Sequence, residues 1–85
     1  MSADMTADDF FESLTGFDEI AIKQHFGASV SNLKDEPMDF MRALVFVAER
    51  REGKTDIQAK DAALTLTVRE VLAYFPAEMD AGKAQ

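Results

Sequence analysis

The stretch M-R-A-L-V-F-V-A-E-R-R-E-G, Met41 to Gly53, decides the fold class. Its centre, Ala43-Leu44-Val45-Phe46-Val47, is an unbroken apolar run. Upstream, Asp35-Glu36-Pro37 announces a helix. Proline suits a first turn, where its missing N–H leaves no bond unmade, and the acids complement the positive end of the dipole. Downstream, Arg50-Arg51 meets the negative end and Gly53 supplies the stop. Placed at helical period, Phe40, Met41, Ala43, Leu44, Val45, Phe46, Val47 and Ala48 cover most of the circumference. A narrow polar strip is left around Arg42 and Glu49. A helix this apolar is a central one, and something must cover each of its sides.

The candidates for that cover lie on both flanks. On the N-terminal side, Thr6 can cap a short helix from Ala7 to Leu14, with Asp8 and Asp9 in its first turn and Met5 stapled onto Phe10. This helix falls within an acidic N-terminal arm, residues 1–14. Phe17 to Phe26 reads as a second helix with Gly27 at its left-handed C-cap. Phe17, Ile20, Ala21 and Gln24 share one face, and Ile22 and Phe26 lie nearly opposite. A helix apolar on two sides is sandwiched, or it offers one side to something else; Phe17, Ile20 and Ala21 are its best face for sheathing the central helix. Ala28 to Lys34 has turn chemistry around Val30 and Leu33, with Val30 able to pair as a very short strand.

On the C-terminal side, Thr55-x-x-Gln58 is a capping box that opens another helix, in which Ala59, Ala62, Ala63 and Leu66 form a smooth face. Thr67-x-x-Glu70 is a second box, so a break is expected near Leu66-Thr67. A last helix runs from Val68 to Phe75 with Val68, Val71, Leu72 and Phe75 inward. Pro76 ends it, and residues 77–85 read as a flexible tail. The expected architecture is all-α: a compact bundle of about four to five short helices around a central apolar helix, with the helical domain over residues 15–76.

Composition narrows the function. An 85-residue chain makes one modest core and buries roughly 60–65% of its unfolded surface. There is no cysteine, hence no disulfide framework and no thiolate metal site. The start M-S-A-D-M-T-A-D-D lacks the basic and apolar regions of a signal peptide, and no apolar run approaches the roughly 18 residues of a membrane span. A cytoplasmic protein with no membrane partner is therefore expected. The net charge of −7 is uneven: Asp4, Asp8, Asp9, Glu12, Asp18 and Glu19 precede the first base, Lys23. Such a surface repels phosphate backbones, so nucleic acid is not an expected partner.

No constellation carries chemistry. His25 is the single histidine, and no second one completes a metal triad. The pairs Asp8/Asp9, Asp18/Glu19 and Asp35/Glu36 fall near helix starts. Adjacent residues there diverge by about 100°, so neither pair member reinforces the other on one substrate atom. No phosphate loop, G-x-S-x-G elbow, H-E-x-x-H or EF-hand pattern occurs. No enzyme, metal, cofactor or small-molecule ligand is expected. A helix-turn-helix over the last two helices would offer V-R-E-V-L-A-Y-F as its reading helix, with a single arginine. The adjacent aromatics Phe10-Phe11 cannot both face one core: either both pack as a lid on the domain, or one is an anchor that inserts into a partner. The partner-binding candidates are Phe10, Phe11, Leu14, Ile22 and Phe26.

Three stretches together carry a resemblance: L-T-G-F-D-E-I-A-I-K-Q-H-F-G (Leu14 to Gly27), M-R-A-L-V-F-V-A-E-R-R-E-G (Met41 to Gly53) and D-A-A-L-T-L-T-V-R-E-V-L-A-Y-F (Asp61 to Phe75). The chain resembles the tail assembly chaperones of long-tailed bacteriophages, in particular the small proteins of phages of actinobacteria. The resemblance implies a non-enzymatic protein that coats the aggregation-prone tape-measure protein while tail-tube subunits polymerise around it. It also implies action in the host cell cytoplasm, absence from the mature virion, and a longer frameshifted product, for which Ala81-Gly82-Lys83 is a plausible place. The partners implied are the tape-measure and tail-tube proteins, with self-association possible. The alternatives are a small helical DNA-binding or transcription-regulating protein and a virion-structural head–tail adaptor.

Overall fold

The computed structural model describes residues 6–75. They form six helices: α1 (Ala7–Glu12), α2 (Gly16–Phe26), α3 (Val30–Leu33), α4 (Pro37–Arg51), α5 (Asp56–Thr65) and α6 (Val68–Leu72). No strand occurs among the described residues. The segment that decides the fold class is α4, and each of the other helices packs against it. Ala43 to Ala48 are all buried without interruption, which answers what covers its apolar circumference: the chain's own neighbouring helices. Each large side chain so buried contributes about 1.5–3 kcal/mol.

Local chemistry places the helix ends. Thr6, Thr15, Ser29, Thr55 and Thr67 each accept from a backbone N–H three residues on. Pro37 opens α4, Arg50 and Arg51 close it, and Gly27 and Gly53 take left-handed backbone (φ 78° and 102°) directly after α2 and in the turn after α4. Leu66, in extended backbone, separates α5 from α6. The short α3 replaces the expected turn and strand, because Ser29 caps it and it buries Val30 and Leu33. The expected Met5 staple, the stop at Pro76 and the 77–85 tail lie outside the described residues.

Small residues let α5 approach α4. Ala59 and Ala63 are fully buried in the contact. Arg42 then reaches α5's C-terminal end, where helix carbonyls have no intrahelical donor, and its Nη1 donates to the carbonyls of Ala63 (2.7 Å) and Leu66 (2.8 Å). The polar strip of α4 is therefore used inside the bundle. Its other member, Glu49, accepts from the Tyr74 hydroxyl (2.6 Å) and pairs with Lys54 (2.7 Å).

α2 is rotated from the expected orientation, keeping only Ala21 of the expected inward face in the core. Phe17 and Ile20 face outward, while Asp18, Ala21 and Ile22 are buried. The cause is the ion pairing of Asp18. Thr15 and Asp18 form a reciprocal capping box, which turns the Asp18 carboxylate back over the helix start. There it meets the C-terminal end of α4: Arg51 Nη2 lies 2.9 Å from Oδ2 and Arg50 Nη1 3.3 Å from Oδ1. With Asp18 fixed inward, Ile22 follows it into the core. His25 and Phe26 then set their rings 5.4 and 5.5 Å from Phe46. The last helix, expected to run to Phe75, ends at Leu72; Val71 in it and Phe75 beyond it are buried but Val68 and Leu72 are exposed, so only half of the expected inward face packs.

Candidate functional site

Most of the sequence-derived anchors are part of the chain's own packing. Phe10 is buried, its ring 5.3 Å from Phe75 and covered by the Arg51 guanidinium at 4.6 Å. Ile22 is fully buried. These two are corrected: a side chain enclosed by its own core cannot anchor a partner without unfolding. Phe11, Leu14 and Phe26 are half-buried and pack against the same core. Phe11 lies 5.5 Å from the Phe40 ring, with Lys34 Nζ 4.5 Å above it. The adjacent aromatics do divide between inside and rim, but neither projects freely.

The large apolar side chains that do project are Phe17, Ile20, Ile57, Leu64, Val68 and Leu72. Phe17 is 82% exposed and Ile20 59%. They stand three residues apart on α2 and so form one ridge. Ile57 and Leu64, seven apart, share the outer face of α5, and Val68 and Leu72, four apart, share one side of α6. Single exposed apolar residues are ordinary on a protein surface; these stand in pairs at helical spacing and so form short ridges. The sequence signal nearest the α2 ridge is T-x-x-D at Thr15–Asp18. It resembles the capping boxes at Thr55 and Thr67, but there Gln58 and Glu70 stay exposed, so the box marks the helix start and the pairing of Asp18 with Arg50 and Arg51 decides which side turns inward.

The charges around the two regions differ. On α1 and the first turn of α2, Asp8, Asp9, Glu12 and Glu19 are exposed, with no base before Lys23. On α5 and α6 the signs alternate, Lys60 beside Asp61 and Arg69 beside Glu70. The basic pair Arg50-Arg51 is spent internally. Beyond Asp18, Arg50 Nε lies 2.6 Å from Asp56 Oδ1, and Arg51 donates to the hydroxyl and carbonyl of Ser13 at 3.0 Å each. His25 Nε2 approaches Asp56 at 3.4 Å. One cluster thus ties the starts of α2 and α5 to the end of α4.

Its carboxylates titrate accordingly. Burial pushes the Asp18 carboxyl up, but the Thr15 backbone N–H and the Arg51 guanidinium outweigh burial and hold it below its ordinary range. Asp56 is lowered chiefly by its hydrogen bond to Arg50. Glu49 is raised by burial and more strongly lowered by Lys54 and Tyr74. Each of these groups is matched to a structural partner, the arrangement of a latch between helices. Among the described residues no group of three or more His, Cys, Asp or Glu side chains is placed to hold a metal ion, and no helix is long and apolar enough to cross a membrane. What the surface offers is apolar ridges on an acidic bundle. Compared with protein-family models, curated proteins and solved structures, the chain gives no match.

Proposed function

We propose that this protein is a non-catalytic binding module of the tail-assembly-chaperone kind. It covers apolar helical surface of the tape-measure protein in the host cytoplasm while tail-tube subunits assemble, and it leaves before the virion matures. The observation that carries this reading is the exposure of Phe17 and Ile20 on a bundle whose core is closed without them. Leaving such side chains in water forgoes about 1.5–3 kcal/mol each, a gain that a partner's apolar face would recover. The net charge of −7 supports the same role, because an acidic coat keeps a complex with a sticky client dispersed. The resemblance of the Leu14–Gly27, Met41–Gly53 and Asp61–Phe75 stretches supplies the client's identity.

The test is co-expression of the tape-measure protein with and without this chain. The client is expected in the soluble fraction, and co-purifying, only when this chain is present. A client equally insoluble in both cultures would refute the role.

A further inference from the structure

The outer face of α2 has a symmetry of its own. Phe17 and Ile20 project from it, and so do Glu19, Lys23 and Gln24. At about 100° per residue, Ile20 lies mid-face, Glu19 and Lys23 fall to one side of it, and Phe17 and Gln24 to the other. Among the described residues neither Glu19 nor Lys23 has an ion-pair partner. One acid and one base therefore stand a helical turn apart along one flank of an apolar centre, neither neutralised by the fold. We propose that a second copy of this chain docks here, α2 against α2, antiparallel about a two-fold axis beside Ile20. The proposal rests on the binding-module reading above: the second copy holds the ridge that a client covers, so dimer and client compete for it.

Symmetry selects this occupant. In a two-fold contact, residue i meets residue j and j meets i. When two helices run antiparallel about such an axis, each flank faces the same flank of the other helix in reverse order. One flank then sets Glu19 against the partner subunit's Lys23, and Lys23 against the partner subunit's Glu19. The other sets Phe17 against the partner subunit's Gln24, twice over. Both pairs are centred within a residue of Ile20, so one axis serves both flanks and brings Ile20 beside the partner subunit's Ile20. A parallel pairing would set each charge against its own like, which destabilises an interface. The outer face of α5 fails the same test. Its Ile57 and Leu64 have Lys60 to one side and Asp61 to the other, so an antiparallel copy would oppose like to like on both flanks. A contact through one helix of 11 residues falls below the about 1,200 Å² of a standard interface, and each copy carries a charge of −7. The dimer is therefore weak and reversible, as a store that a client displaces must be.

The experiment is sedimentation of the full chain at concentrations from about 1 µM to about 1 mM, the range in which weak contacts assemble. Salt is held at about 0.15 M, where exposed charges act only at short range. The mass is expected to rise from one chain towards two. Phe17→Ser/Ile20→Ser is expected to move the midpoint up by about tenfold or more. Glu19→Lys alone and Lys23→Glu alone are each expected to weaken the dimer, because each sets like charges face to face at two places. Glu19→Lys/Lys23→Glu together restore opposite signs, and the midpoint is expected to return to within about threefold of the parent. Ile57→Ser/Leu64→Ser is expected to stay within about twofold. All six positions are exposed, so thermal melts of dilute samples should stay close to the parent.

A chain that stays single to the top of that range overturns the proposal. So does a dimer that Phe17→Ser/Ile20→Ser leaves intact, that the paired exchange of Glu19 and Lys23 fails to restore, or that Ile57→Ser/Leu64→Ser disperses. Co-expression with the client separates this failure from that of the function itself. A chain that stays single yet keeps the client soluble would sink the dimer and spare the chaperone role. A dimer that responds to every variant as expected, beside a client left insoluble, would do the reverse.

Discussion

Arg51 Nη2 lies 2.9 Å from Asp18 Oδ2, so the last turn of α4 is joined to the first turn of α2 by a charge-assisted hydrogen bond. Both partners also sit where their helix dipoles favour them, the base at a C-terminus and the acid at an N-terminus. Asp18 is only 7% exposed, and Arg50 shares its other oxygen.

The bond makes stability depend on pH with a definite sign. Asp18 is held below its ordinary range in the folded chain, so the native state binds fewer protons than the unfolded one. Its contribution is complete above the unfolded value of about 4 and fades as pH falls through the lower folded value. Asp18→Asn is expected to melt at lower temperature than the parent at pH 7. The gap between the two should narrow steadily as the pH is taken below about 4. Circular-dichroism melts across that range check it; a gap that stays constant to the lowest pH would remove Asp18 from the latch.

Arg42 stabilises a helix other than its own. Replacing it with methionine leaves the carbonyls of Ala63 and Leu66 without their donor. A hydrogen bond to a charged group is worth about 1.5–3 kcal/mol, so Arg42→Met is expected to cost about that much in urea unfolding. Amide exchange should rise first in α5.

Phe11 behaves as a packing residue. It lies against Phe40 and beneath Lys34, half-buried. Phe11→Ala is expected to lower stability by about 1–3 kcal/mol, within the range of a partly enclosed aromatic. Co-purification with the tape-measure protein should change little. Weakened binding with an unchanged melt would make Phe11 an anchor after all.

Leu44 tests the centre. It is fully buried, so Leu44→Ala is expected to cost about 2–5 kcal/mol. Leu44→Asp should abolish the cooperative melt, since it places a charge with no partner in the core.

Gly27 separates backbone strain from crowding. A Cβ there would meet nothing within 4 Å, yet φ is +78°. Gly27→Ala is therefore expected to cost about 1 kcal/mol through the left-handed backbone alone. A neutral substitution would mean that the C-cap shifts to another conformation.

Much of this architecture was legible in the residues because each signal was local. Pro37, Gly27, Gly53 and the Thr55 and Thr67 boxes mark ends by chemistry that acts within a few residues, and the apolar girth of Ala43–Ala48 marked the centre. Which side of α2 faces inward was not legible in the same way. Both of its sides are apolar, so periodicity alone could not choose between them, and a polar residue made the choice. Asp18 is drawn in by Arg50 and Arg51, 32 and 33 residues away in sequence. The misplaced anchor Ile22 has the same origin: once Asp18 turns inward, Ile22 goes with it and Phe17 is left on the outside. In the last helix, Leu72 was read as buried because its spacing suits Val71 and Phe75. The helix is five residues long and turns too few times to bury a full face.

Because α4 packs against every other described helix, the bundle is wired like a hub with spokes. No pair of outer helices encloses an interior by itself, so a fragment lacking residues 37–51 has nothing to condense upon, and one lacking any spoke bares the axle to water. Removing any one of the helices α1 to α6 should therefore not yield a smaller folded piece. Pressure to change it falls on the rim, where side chains such as Phe17 can vary without loosening the hub.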